Sequence, residues 1–260
     1  MAILDGKSLR GSIGNLSFSK QGNINVIRSK PGKGNVKQTE ATKKSASVFG
    51  SYISPLSKYI RMSFQHLLTG FYDGAMVNRM NSDISTILYQ SITAEGTFKL
   101  VKQSFDRLTG FNFNLASALN KSLLVMPETV FTADEVTVNI PEFSVSKGLR
   151  FPPKAHSCTI KMQVVQFNLE KGLWMVYPQE SIVLKKGGLN HSQIFRYGLP
   201  KGTLCLVAIG LVYHNQYEIV LNSKTFNPVT IVTAGFNPGS TLEEEIKNWY
   251  SMSVKMKPEA

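Results

Sequence analysis

The stretch 203-TLCLVAIGLVYH-214 decides how this chain is read. From Leu204 to Tyr213 it is the longest apolar run in the sequence, rich in β-branched and aromatic residues. That length suits a β-strand and is about half of what a membrane-spanning helix needs. A second run of the same texture, 158-CTIKMQVVQFNL-169, lies upstream. Around these two, short β-prone segments alternate with turn clusters: TFKLVKQSF (97–105), EVTVNI (135–140), LWMVYP (173–178), ESIVLKK (180–186), SQIFRYGL (192–199), YEIVLNS (217–223) and PVTIVTAG (228–235). Such spacing over about 140 residues predicts an antiparallel β-sandwich. Tyr213–Tyr217 reads as a hairpin tip. Ser240-Thr241-Leu242-Glu243-Glu244-Glu245 reads as the capped, acidic start of a short C-terminal helix, with a loose tail from Lys255.

Upstream of the β region the periodicity changes. Val48, Phe49, Tyr52, Ile53, Leu56, Tyr59, Ile60, Phe64, Leu67 and Leu68 recur at spacings of three and four, which predicts an amphipathic helix. Thr39 or Thr42 is a cap candidate, and Ser54-Pro55 predicts a kink or restart, because proline is unwelcome inside a helix and welcome at its start. Asn81-Ser82-Asp83 is read as the cap of a short helix through Ile84, Ile87, Leu88 and Ile92. The segment before the helices is different again. Leu16 and Phe18 share one face of a short strand, and Ile24, Val26 and Arg28 share one face of another. Between them Lys20-Gln21-Gly22-Asn23 is turn chemistry, so residues 15–29 are read as a β-hairpin. Pro31–Asn35 follows as loop. The fold class expected is therefore α+β: a hairpin arm and amphipathic helices in 1–96, a β-sandwich in 97–239, and a short helix and tail in 240–260.

Composition narrows function less than it narrows fold. The 260 residues carry 29 Lys and Arg against 17 Asp and Glu, a net charge of +12. Residues 1–46 hold nine of those cations and two acids, so more than half of the excess lies in less than a fifth of the chain. A basic balance of this kind favours an acidic partner, whether nucleic acid, a membrane surface or an acidic protein face. Its cations, Lys20, Arg28, Lys30, Lys33, Lys37, Lys43 and Lys44, are the candidates for partner or phosphate contact. Leu16, Phe18, Ile24 and Val26 are the candidates for hairpin docking, since a lone hairpin is marginal in water and needs something packed on it. With one aromatic in the stretch, base stacking is poorly supplied, and any nucleic-acid contact would be to phosphates and independent of sequence.

Catalytic and metal-binding chemistry has no signature. The histidines at 66, 156, 191 and 214 show no metal-ligand spacing, and no C-x-x-C, H-E-x-x-H or G-x-S-x-G occurs. Gly32-Lys33-Gly34 lacks the spacing of a phosphate-binding P-loop. The five aspartates, Asp5, Asp73, Asp83, Asp106 and Asp134, fall near expected turns or caps. Cys158 and Cys205 lie within strand-like apolar runs and are read as buried free thiols. The chain is thus expected to be non-enzymatic, without cofactor, catalytic residue or metal. MAILDGKSLRG has no apolar core of a conventional signal peptide, and a cytoplasmic or virion location is expected.

The order of elements in the first 80 or so residues resembles an uncharacterised protein family widespread in Bacteroidota. The resemblance is carried by Met1-Ala2-Ile3-Leu4, Gly11-Ser12-Ile13-Gly14-Asn15-Leu16, the basic Ile27-Arg28-Ser29-Lys30-Pro31, Thr39-Glu40-Ala41 and Ser54-Pro55-Leu56, and more loosely by Leu199-Pro200-Lys201-Gly202. It implies a Bacteroidota or bacteriophage protein of modular build and supplies no catalytic residues. The function expected is that of a structural or assembly protein, a component of a phage virion or of a surface-associated assembly. It would self-associate, or join another structural protein, through the N-terminal hairpin arm. The second reading is a sequence-nonspecific nucleic-acid-binding protein using the basic arm.

Overall fold

A computed structural model describes residues 2–6, 8–21, 24–30 and 39–259. The chain divides into two compact units, Met1–Ser47 and Val48–Ala260. The first contains four strands in sequence order, β1 (Ala2–Asp5), β2 (Ser8–Ile13), β3 (Leu16–Gln21) and β4 (Ile24–Ser29), forming one antiparallel sheet in the order β1-β2-β3-β4. The expected hairpin is therefore present as β3 and β4, and two further strands extend it. Gly14, at φ +53, supplies the positive backbone angle between β2 and β3. The turn at Gly22-Asn23 and the loop at Pro31–Asn35 lie outside the described residues.

The helix α1 (Glu40–Val48) begins where Thr39 caps it, its Oγ1 accepting the Thr42 amide at 3.2 Å. The restart expected at Ser54-Pro55 is realised as a π-turn over Phe49–Ile53 followed by α2 (Ser54–Ser63), with Pro55 in its first turn. The Ser54 amide reaches back to the Phe49 carbonyl. That widened turn makes room for the proline ring, which would otherwise strike the carbonyl four residues earlier. α3 (Gln65–Leu68) ends at Thr69 and Gly70, both at positive φ. α4 (Met76–Ser91) is longer than expected: Asn81, Ser82 and Asp83 lie inside it, and Met76, Met80, Ile84, Ile87 and Leu88 form its buried stripe. Its start is held instead by Asp73, whose carboxylate accepts the Ala75 amide at 2.9 Å and the Leu115 amide at 3.1 Å and pairs with Arg79.

The remaining strands are β5 (Phe111–Asn112), β6 (Glu128–Phe131), β7 (Glu135–Ile140), β8 (Phe143–Ser144), β9 (Ser157–Asn168), β10 (Leu173–Val176), β11 (Glu180–Lys185), β12 (Leu189–Asn190), β13 (Gln193–Gly198), β14 (Thr203–His214), β15 (Val229–Asn237) and β16 (Tyr250–Ser251), with one turn of helix, α5 (Val145–Gly148), after β8. The two runs that opened the reading are neighbours: β9 and β14 pair antiparallel along their whole length, Thr203 opposite Asn168 and His214 opposite Ser157. They centre a sheet ordered β16-β10-β9-β14-β15-β5, with β11 sharing the β10 edge of β9.

Side chains alternate across that sheet and feed two cores. Leu204, Leu206, Ala208, Val165 and Phe167 join the helical stripes of α2 and α4, while Cys205, Val207, Ile209, Cys158, Ile160 and Met162 join Val136, Val138, Ile140 and Tyr197 of a smaller sheet ordered β13-β7-β6. The second unit is thus a sandwich of two sheets with the helices covering the outer face of the larger one. This is an α+β architecture, and it explains why β14 is apolar at nearly every position: it is buried on both sides. Glycine sets the closest approaches. A Cβ on Gly210 would meet Val229 at 3.2 Å and Leu67 of α3 at 3.7 Å, and one on Gly235 would lie 2.9 Å from the Phe131 ring.

Three expected elements differ. TFKLVKQSF is not a strand: Phe98 and Phe105 are buried anchors, and the chain between them turns where the Ser104 hydroxyl accepts the Val101 amide at 2.9 Å. YEIVLNS forms no strand and pairs through two isolated bridges, Val220 with His214 and Ser223 with Phe226. The end of β14 is served instead by the buried Asn222 side chain, which accepts the Tyr213 amide at 2.9 Å and donates to the Leu211 carbonyl at 2.7 Å, standing in for a strand partner. The C-terminal tail is not loose. Glu243–Ile246 forms one 3-10 turn, and beyond β16 the alternating Met252, Val254 and Met256 are buried in the helical core. The Met256 amide bonds to the Leu169 carbonyl at 2.7 Å, and the Phe98 amide to the Lys257 carbonyl at 2.8 Å.

Candidate interaction surface

The first unit has a sheet with two chemically distinct faces. Residues opposite each other in neighbouring strands point the same way, and successive residues in a strand point opposite ways. Ala2 stands opposite Gly11, Gly11 opposite Phe18 and Phe18 opposite Ile27; Leu4 is opposite Leu9, and Ile13 opposite Leu16. One face therefore gathers Leu4, Leu9, Ile13, Leu16, Phe18 and Ile27. The other gathers Ser8, Arg10, Ser12, Ser17, Ser19 and Arg28, together with Ile3, Ile24 and Val26. On the apolar face Leu4 is 71% exposed, Ile13 57%, Leu16 43% and Ile27 61%. Lys20 is the one charged side chain that the register puts there among the described residues. Gly11 sits in the middle row beside Phe18, whose ring can lie across the bare backbone.

The docking candidates are split by this register. Leu16 and Phe18 lie on the apolar face, while Ile24 and Val26 lie on the other, with Arg28. Ile27, Ile13 and Leu4, which the sequence pattern did not single out, complete the apolar set. For Leu4 and Ile13 the missing signal is the presence of β1, only four residues long, and of β2, broken up by serine and glycine; for Ile27 it is the register of β4 on β3.

The basic candidates are not gathered into one patch. Lys20 and Arg28 are on opposite faces of the sheet, and Lys30 follows β4. Lys43, on α1, pairs with Glu40 at 2.8 Å, and Lys44 is exposed on the same helix. Lys33 and Lys37 lie outside the described residues.

In the second unit a cleft of about 770 Å³ runs along the outer edge of β15, between Lys102, Asp106 and Thr109 on one side and Phe131 of the edge strand β6 on the other. Its floor is occupied by structural contacts: the Thr109 hydroxyl accepts the Ala234 amide at 3.0 Å, and the Phe131 ring covers Gly235. Both thiols are buried, and burial pushes each up to about 12, so they are protonated and unreactive at neutral pH. Among the described residues no group of three His, Cys, Asp or Glu is placed to hold a metal ion, and no helix is long and apolar enough to cross a membrane.

The step Leu199-Pro200-Lys201-Gly202 has a structural account. Gly202 is at φ +70, and a Cβ there would meet the Thr241 hydroxyl at 2.7 Å and the Gly239 carbonyl at 2.9 Å. The Asn237 amide group donates to the Leu199 carbonyl at 2.9 Å and the Ala133 carbonyl at 2.8 Å, pinning the turn into β14. Compared with known proteins, the chain matches no family model, no curated protein and no solved structure.

Proposed function

We propose that the chain is a non-enzymatic structural or assembly protein that self-associates through its N-terminal sheet. Within that reading it is a component of a phage virion or a surface-associated assembly, working in the cytoplasm or the virion. The observation that carries it is the make-up of the first unit: four short strands in which Leu4, Ile13 and Ile27 are more than half exposed, Leu16 is 43% exposed, and Leu9 and Phe18 are half-buried, instead of forming a core. An isolated sheet of this size gains stability by packing on something, and contiguous exposed apolar surface marks interaction sites. The resemblance of the first 80 or so residues to a Bacteroidota family supports the lineage.

The nucleic-acid reading draws support from the charge of residues 1–46, with Arg10 and Arg28 sharing one face of the sheet and Lys20 on the other. One experiment separates the two: the solution mass of the full chain by light scattering at about 0.5 M salt, where exposed charge pairs are screened beyond a few Å, with absorbance at 260 nm recorded. A defined multimer free of nucleic acid, lost on deletion of residues 1–37, is the expected result. A monomer at every protein concentration would overturn self-association. A nucleic-acid affinity falling steeply with salt would then favour the second reading.

A further inference from the structure

The sheet of the first unit has two ways to meet another copy: by adding a strand at an edge, or by stacking face on face. We infer that the docking element is the Leu4–Ile13–Leu16–Phe18–Ile27 face, and that its occupant is the same face of a second copy, giving a two-fold sandwich of N-terminal sheets. This rests on the self-association reading above and specifies its surface.

Charge decides the occupant. Arg10 and Arg28 project from the opposite face, so among the described residues Lys20, near the end of β3, is the one charge on the apolar face. An acidic partner or a phosphate backbone would find almost nothing to pair with there. A second copy brings the same charge-poor, apolar surface, and no cation is pressed on a cation except at the rim. A two-fold contact is by nature self-complementary, and stacked sheets settle about 10 Å apart with their apolar side chains interleaved.

Area points the same way. The exposed parts of Leu4, Ile13, Leu16 and Ile27, with Leu9, Phe18 and the bare strip at Gly11, offer on the order of 1,000 Å² across two copies, about what a specific interface needs. The polar face has a smaller stretch: Ile24 and Val26 adjoin on β4, while Arg10 and Ser19 stand between them and Ile3.

β4 supplies a matched pair for the test. Ile27 and Ile24 are the same residue type, 61% and 69% exposed, and project from opposite faces. In the full chain at about 0.5 M salt, Ile27→Asp is expected to reduce the mass to that of a monomer, with Ile24→Asp unchanged. Because a loss of mass in Ile27→Asp does not separate blocked docking from an unfolded sheet, cysteine variants provide a second readout: the native thiols are buried. Ile27→Cys should be joined to its counterpart by a bismaleimide of about 10 Å reach, and Ile24→Cys should not. A multimeric wild type in which Ile24→Cys is the variant that crosslinks, or in which Ile27→Cys fails to crosslink, overturns the face and leaves self-association standing. A monomeric wild type removes both, and if that monomer binds anionic lipid vesicles, the apolar face is a membrane-facing surface instead.

Discussion

Asn227 shows how one side chain can tie together parts of the chain far apart in sequence. Its amide group donates to the carbonyls of Leu68 at 2.9 Å and Phe71 at 3.0 Å, just past α3, and its oxygen accepts from Asn222 at 2.7 Å. Asn222 in turn serves the end of β14. The Leu68 carbonyl also accepts the Phe71 amide at 2.8 Å, so Asn227→Ala strands the Phe71 carbonyl and one Asn222 amide hydrogen; each such group costs about 1–3 kcal/mol, and unfolding free energy should fall by about 2–4 kcal/mol in a denaturant titration. Asn227→Asp should be no milder, since a carboxylate cannot donate to the two carbonyls. A loss under about 0.5 kcal/mol, the range of an ordinary surface change, would contradict this account.

The elements show where physical reading succeeds and where it stops. β9 and β14 were legible because their apolar residues are nearly continuous, and the break at Pro55 because proline chemistry is local. The C-terminal strap was missed although Met252, Val254 and Met256 alternate, because its three anchors are spread among polar residues and its partners, Phe98 and Leu169, are distant in sequence. Burying three such side chains contributes about 1.5–3 kcal/mol each, a large part of a domain's net stability. Removing residues 252–259 should therefore cost the second unit its cooperative melting transition or lower its midpoint by more than about 10 °C; an unchanged midpoint in calorimetry would show the strap to be peripheral. The candidate surface was half legible for a different reason. Leu16 and Phe18 were correctly put on one face, but whether Ile24 or Ile27 joins them depends on register, and a slip of one residue exchanges the faces. The composition of a strand does not fix that.

For the whole molecule, the core between the two sheets carries acids that ionise far more readily once the chain unfolds. Cys158 and Cys205 are moved by burial from an ordinary value of 9.0 to about 12, and burial with the nearby Glu180 raises Tyr197 from 10.0 to about 12. Between those limits the unfolded chain has released protons that the folded one still holds, so stability is full below about pH 9 and falls as pH rises toward 12. The urea midpoint should drop clearly between pH 8 and pH 10.5, and replacing either thiol by valine should flatten the decline; a level profile would refute the burial account.

The strap has a further consequence for biosynthesis. The N-terminal sheet pairs only strands adjacent in sequence, so it can form as soon as its own residues leave the ribosome. The second unit closes only when residues 252–258 reach Phe98, after all of its strands have been made. Nascent chains on one messenger would therefore display finished N-terminal sheets while their bodies are still open, and neighbouring ribosomes would be the first place where two such sheets meet.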